Sequence, residues 1–193
     1  MTESDRLLLK LLSILLQYPD DSLPGGLADP GELLEPAPGD FAMARLAPGG
    51  TPAELIGRFL AHLRSGPLLC AQEIYTRTFD LSPATCLYLT WHRRADAKER
   101  GGDLARLVGV YRDGGYECVS RDLPDFLPMI LEFASVCADD SGLELLRDFS
   151  PEIEKIRLKL KESQSPYAEL FDLLAEAIAT PRAEKERSED ELG

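Results

Sequence analysis

Basic residues are scarce in this 193-residue chain. Its 21 lysines and arginines stand against 34 aspartates and glutamates, a formal net charge of −13. Nucleic-acid binding neutralises phosphates with Lys and Arg, and attraction to an anionic membrane surface uses the same charges, so the balance argues against both. An acidic surface favours a basic partner instead. Histidine is rarer still, with only His62 and His92. Cys70, Cys86, Cys118 and Cys137 stand apart, with no C-x-x-C pair, which argues against a zinc site and a disulfide framework. Cys86 and His92 are six apart on what reads as one helix, a spacing that sets them on opposite faces. There is no G-x-S-x-G, and Gly25-Gly26, Gly49-Gly50 and Gly101-Gly102 lack the strand and lysine of a phosphate loop. Long hydrophobic runs are missing too. Leu7 to Leu16 is interrupted by Lys10 and Ser13 and is too short for a bilayer, and its acidic flank is not that of a secretory signal. These absences lead us to expect a cytoplasmic protein with no catalytic centre, no metal and no cofactor of its own.

No alternating strand pattern occurs, whereas helical spacing recurs throughout, so the expected fold is all-α: a compact multi-helix bundle. Glu3 to Gln17 reads as a helix with Leu8, Leu11, Leu12, Leu15 and Leu16 on one stripe and Leu7, Leu9 and Ile14 widening it, hence a central helix. From Pro19 to Pro52, prolines and glycines break up any long element, with one short helix expected at Asp40 to Leu46. Thr51-Pro52-Ala53-Glu54 is a capping box with proline at the first helical position. Further helices are expected from Leu68 to Phe79, from Ser82-Pro83 to Trp91, from Asp103 to Gly114, and after Pro124. Others follow from Gly142, from Ser150-Pro151 and from Ser165-Pro166, with Arg93 to Gly102 a charged connection. Residues 1–180 are expected to form one helical domain, and the charged stretch 181–193 a disordered tail.

The stretch Tyr75 to Phe133 reads as the organising part of the chain, and within it Asp122-Leu123-Pro124-Asp125-Phe126-Leu127-Pro128. Two prolines preset φ and disfavour helix just before themselves, making a rigid corner that feeds a helix. Carboxylates at such a place usually cap the following helix, so Asp125 reads as a cap, or alternatively as the partner of an incoming cation. The candidate binding residues are Tyr75, Phe79, Leu87, Tyr88, Trp91, Leu123, Pro124, Asp125 and Phe126, mostly as apolar lining of a groove between helices. Core packing is the alternative role for each aromatic.

Several segments carry a resemblance: Leu12 to Pro19 (LSILLQYP), Tyr75 to Leu89 (YTRTFDLSPATCLYL), Lys98 to Gly115, Asp122 to Phe133 (DLPDFLPMILEF) and Tyr167 to Leu174 (YAELFDLL). In order and spacing the sequence resembles the nitrate reductase delta-subunit family, the NarJ-like molybdoenzyme chaperones related to the TorD and DmsD group. The resemblance implies an all-helical, cytoplasmic, non-enzymatic chaperone. Its implied partner is the nitrate reductase catalytic (alpha) subunit, bound through its N-terminal segment before molybdenum cofactor insertion and membrane attachment. The implied chaperone does not insert into the membrane and is a monomer or homodimer. The chain departs from the family where Phe126 replaces a histidine common at the corner, and where Leu81, Ser82 and Pro83 replace frequent arginines or a glycine. Two readings from other classes stand beside this one: a helical enzyme or small-molecule-binding domain, with a nucleotide as one such ligand, and a structural subunit of a larger complex.

Overall fold

A computed structural model describes residues 1–20, 50–93 and 97–179. The expected Asp40–Leu46 helix, most of the Pro19–Pro52 connection and the 181–193 tail lie outside the described residues. Helix α1, Glu3–Leu15, starts at a capping box in which the Thr2 side chain accepts from the Asp5 N–H and the Asp5 carboxylate accepts from the Thr2 N–H. Its leucines at 8, 9, 11, 12 and 15 are all buried. Its main partner is α6, Leu127–Val136, whose sequence LPMILEFASV is almost wholly apolar and buries seven of its residues. A helix apolar on most sides needs neighbours on most sides, and α1 also packs on α9, Ala168–Ala179. Leu8 to Ile178 thus contribute to one hydrophobic cluster.

Helix α2, Pro52–Leu63, has the expected Thr51–Glu54 capping box and lays Leu55, Ile56, Phe59 and Leu60 against the core, with α9 its neighbour. Helix α3, Leu68–Tyr75, widens into a π turn over Thr76–Asp80, closed by the Leu81 N–H donating to the Thr76 carbonyl at 2.9 Å. Tyr75 and Phe79 stay in the core there. Phe79 meets Tyr75 edge-on at 5.0 Å and Tyr167 at 4.7 Å, and Phe59 meets Tyr167 at 5.0 Å.

The next stretch departs from expectation. Ser82 to Trp91 is not one helix: residues 83–85 form a turn, Tyr88 is extended, and only Leu89–Arg93 is helical, as α4. The cause is tertiary pairing. The Leu89 N–H donates to the Asp125 carbonyl at 3.0 Å and the Leu127 N–H to the Leu87 carbonyl at 2.8 Å, an isolated antiparallel bridge between Tyr88 and Phe126. The 0, 3, 4, 7 spacing of Ala84, Leu87, Tyr88 and Trp91 therefore belongs to no buried face. Ala84 and Trp91 are exposed, and Leu87 is buried.

Helix α5, Ala97–Asp113, also begins earlier than expected and runs through Gly101-Gly102, so the charged connection is largely helical. Its first turn holds Lys, Glu and Arg, good helix formers, and Arg100 is tethered to α4 and the corner. It stops at the Gly114-Gly115 pair, where Gly115 takes φ +85° while the Tyr116 N–H closes onto the Tyr111 carbonyl at 2.9 Å. Helices α7, Ser141–Asp148, and α8, Ser150–Glu162, complete the bundle. Gly142 lets α7 approach α6 closely: a Cβ there would lie 2.4 Å from Ala134 Cα. Arg93 reaches from α4 to Asp148 and Glu152, both at 3.0 Å, with its guanidinium over the Phe149 ring. Among the described residues no helix is long and apolar enough to cross a membrane.

Candidate functional site

The proline corner is clamped onto α4 and α5 by its one buried carboxylate. Asp125 is 0% exposed. One of its oxygens accepts from the Thr90 N–H at 3.1 Å, from the Thr90 hydroxyl at 2.5 Å, and from Arg100 Nη2 at 3.4 Å. Arg100 Nε also donates to the Thr90 hydroxyl at 2.9 Å, closing a three-residue network. Asp125 is a cap, but not of the helix that follows it. It serves the first turn of α4, 35 residues earlier, while α6 is preceded by Phe126 with no side-chain cap. Its charge is engaged by Arg100 and fully enclosed, so an incoming cation cannot reach it.

The other predicted residues divide by burial. Tyr75, Phe79 and Leu87 are 4, 2 and 2% exposed, and the Tyr75 hydroxyl donates to the Leu16 carbonyl at 3.2 Å. They are core residues in this structure and present no surface. Burial, with Asp80 and other acids nearby, pushes the Tyr75 phenol far up from its ordinary value. Pro124 is half-buried, and its carbonyl accepts from the Tyr111 hydroxyl at 2.6 Å. Tyr88 and Phe126, also half-buried, face one another with ring centroids 5.2 Å apart. Trp91 and Leu123 stand out at 53 and 42% exposed.

Around these lie groups that helical periodicity did not single out. The Tyr88 hydroxyl donates to Asp122 at 3.2 Å, and Ser120 donates to the other Asp122 oxygen at 2.7 Å, and among the described residues no cation pairs with Asp122. The Tyr88 phenol is raised first by burial, then by the charge and hydrogen bond of Asp122, and also by Asp125 and Asp80. Beyond the corner, Tyr116 to Ser120 border a cavity of about 370 Å³ floored by Tyr111, Met129 and Phe133. Val119 is 92% exposed, Val136 45% and Tyr116 37%. A run of exposed apolar side chains beside acids is what an interaction surface looks like. Val119 was hidden from sequence reasoning because it belongs to an irregular segment with no period, whereas Leu123 was named there.

Cys86 and His92 are another correction. Because Ser82–Tyr88 is not helical, the chain folds back and brings Cys86 Sγ within 3.6 Å of His92 Nε2. The same nitrogen lies 2.8 Å from the Cys86 carbonyl, so it carries the proton and donates there, leaving no lone pair to activate the thiol. Burial, the largest effect on Cys86, raises its thiol. The pair therefore closes a turn. Among the described residues no three His, Cys, Asp or Glu side chains are grouped to hold a metal.

Residues 47–172 match the model of the nitrate reductase delta subunit family. The probable nitrate reductase molybdenum cofactor assembly chaperone NarW of Escherichia coli strain K12 is 32% identical over 167 residues, covering 86% of this chain and 66% of the relative. The nitrate reductase molybdenum cofactor assembly chaperone NarJ of the same strain is 33% identical over 172 residues, covering 89% and 70%. A probable chaperone of the same description, NarJ of Bacillus subtilis strain 168, is 27% identical over 179 residues and covers 92% of both chains. The chain thus spans roughly two thirds of the length of the E. coli relatives and nearly all of the B. subtilis one.

Proposed function

We propose, from the premise that this chain belongs to the nitrate reductase delta subunit family, that it is a non-enzymatic assembly chaperone for a nitrate reductase. It binds the N-terminal segment of the catalytic subunit while molybdenum cofactor is inserted and before membrane attachment, and it acts in the cytoplasm. The observation that carries the binding surface is the exposure of Trp91, Leu123 and Val119 about a corner that Asp125 holds rigid. Apolar residues kept outside by a clamp are available to a partner without refolding the chaperone.

In this reading Trp91, Leu123, Tyr88 and Phe126 meet the apolar face of an amphipathic segment, with Val119 and Tyr116 extending the contact. Asp122 and Asp80 favour basic residues beside that face, a selection suited to a chain of net charge −13. Tyr75, Phe79 and Leu87 support the surface from beneath. Asp125 acts through Thr90 and Arg100 as a positioning residue.

The reading is tested by co-expressing this chain with the catalytic subunit, whole or lacking its N-terminal segment. Co-purification with the whole subunit and its loss with the truncated one is the expected outcome. Equal co-purification of both sinks the N-terminal reading, and a nitrate reductase that acquires its cofactor equally well without this chain sinks the chaperone reading.

A further inference from the structure

The segment after α5 leaves backbone groups without partners at the surface. Between Tyr116 and Ser120 the chain is in neither helix nor strand, and the N–H and carbonyl groups of Glu117, Cys118 and Val119 make no hydrogen bond with a described residue. Both ends of the segment are nonetheless tied down. The Tyr116 hydroxyl donates to the Val136 carbonyl at 2.8 Å, and the Asp122 N–H donates to the Ser120 hydroxyl at 3.1 Å. A fixed, exposed run of unpaired backbone is open to pairing with a second chain. Its most prominent side chain is Val119, 92% exposed, at the mouth of the cavity of about 370 Å³ over Tyr111, Met129 and Phe133. An apolar knob and an apolar hole thus share one patch, which suits a surface to a copy of itself.

The charges point the same way. A chain of net charge −13 repels its own copies over most of its surface. From Arg112 to Arg121, however, two cations and two anions balance: Arg112, Asp113, Glu117 and Arg121. All four are exposed, and none makes an ion pair or side-chain hydrogen bond with a described residue. On the cavity rim Glu132 is already neutralised by Lys10, at 2.5 Å. Glu117 and Arg121 lie two residues to either side of Val119. An antiparallel crossing of two copies about Val119 exchanges positions at equal distance from it, so each Glu117 meets the other copy's Arg121.

We propose that two copies of this chain associate through residues 116–121, each Val119 seated at the mouth of the other's cavity and flanked by reciprocal Glu117–Arg121 pairs. Three exposed apolar side chains, Tyr116, Val119 and Val136, are far fewer than the about 20–30 residues a side of a stable complex, so the dimer is reversible. Tyr116 and Val119 also extend the client surface. The dimer is therefore a resting state that a client opens, a second step that rests on the peptide-binding reading above.

Sedimentation velocity of the whole chain across a concentration series, in low salt, reads the first step without any client. A reversible monomer–dimer equilibrium is the expected result. Val119→Asp should weaken it about tenfold or more, and so should Glu117→Arg or Arg121→Glu alone, since each sets two like pairs across the axis. The double exchange Glu117→Arg, Arg121→Glu should restore it to within about threefold of wild type. All three side chains are surface groups, and circular dichroism checks that each variant folds. A monomer at every concentration, a dimer unmoved by Val119→Asp, or one left weak by the double exchange overturns the proposal. Adding the catalytic subunit's N-terminal peptide reads the second step: dimers should give way to monomers carrying one peptide each. A dimer that persists with peptide bound overturns the resting-state role. A peptide that binds neither the wild type nor the monomeric Arg121→Glu variant overturns the peptide-binding reading and that role with it, while the dimer is judged by the sedimentation alone.

Discussion

Replacing Asp125 by alanine removes the acceptor that joins three elements. In the structure its carboxylate takes the Thr90 N–H, the Thr90 hydroxyl and one arm of Arg100, all about a fully enclosed oxygen. Truncation leaves the Thr90 N–H, on the buried first turn of α4, without its side-chain acceptor, which costs about 1–3 kcal/mol. The Thr90 hydroxyl can rotate toward another acceptor, but Arg100 loses a buried counter-charge, and breaking such a pair from one side costs about 3–5 kcal/mol when both members are enclosed. Arg100 is 22% exposed at its side chain and can regain water, so the lower end, about 3 kcal/mol, applies and the total comes to about 4–6 kcal/mol. Asp125→Asn keeps one acceptor for Thr90 and loses the charge, so about 1–3 kcal/mol is expected. Urea unfolding followed by circular dichroism measures both, with the midpoint shifting and the slope unchanged. A loss below about 1 kcal/mol in Asp125→Ala would refute the clamp. So would an Asn variant as damaged as the Ala variant.

Other outcomes follow from the same geometry. Trp91→Ala and Leu123→Ala should each weaken a client peptide by about 1–2 kcal/mol while leaving the unfolding midpoint within about 0.5 kcal/mol of wild type, since both side chains are largely exposed. Gly115→Ala should destabilise by about 1 kcal/mol because φ +85° is strained for a residue with a Cβ, and thermal unfolding reads it directly. Asp148 is held below the usual carboxylate range. Partial burial pulls it up, but hydrogen bonds and charge from Arg93 and Arg106 outweigh that. A depressed carboxylate contributes stability above its unfolded pKa and loses it as pH falls through the folded one. Acid unfolding should therefore shift to higher pH in Arg93→Met, and the gap between wild type and variant should narrow as pH falls through the folded pKa of Asp148.

The helical skeleton was legible because most of its signals are local. The Thr51 capping box, the Gly115 stop and the leucine stripe of α1 each specify their element within a few residues. Ser82–Trp91 failed for the opposite reason. Its helical spacing was real, yet the bridge from Tyr88 to Phe126 uses backbone groups 38 residues apart, and no local pattern announces such a pairing. The same pairing decides the site. It buries Leu87, exposes Trp91, and turns Asp125 from the cap of the next helix into the anchor of an earlier one. Aromatic identity alone could not separate Tyr75 and Phe79, which are core, from Trp91, which is not. Arg100 and Thr90 went unnoticed because a network shared by three elements has no sequence spacing to read.

The central claim is peptide recognition at the corner, and one calorimetric titration tests it most directly. The N-terminal peptide of the catalytic subunit is titrated into the wild type and into the Trp91→Ala, Leu123→Ala double variant, at low and at high salt. The account predicts one-to-one binding to the wild type, weakened by about 2–4 kcal/mol in the folded double variant. It also predicts a modest further loss in high salt for both proteins, from Asp122 and Asp80. Equal binding by the wild type and a normally folded double variant would contradict the account and move the peptide to another face of the protein.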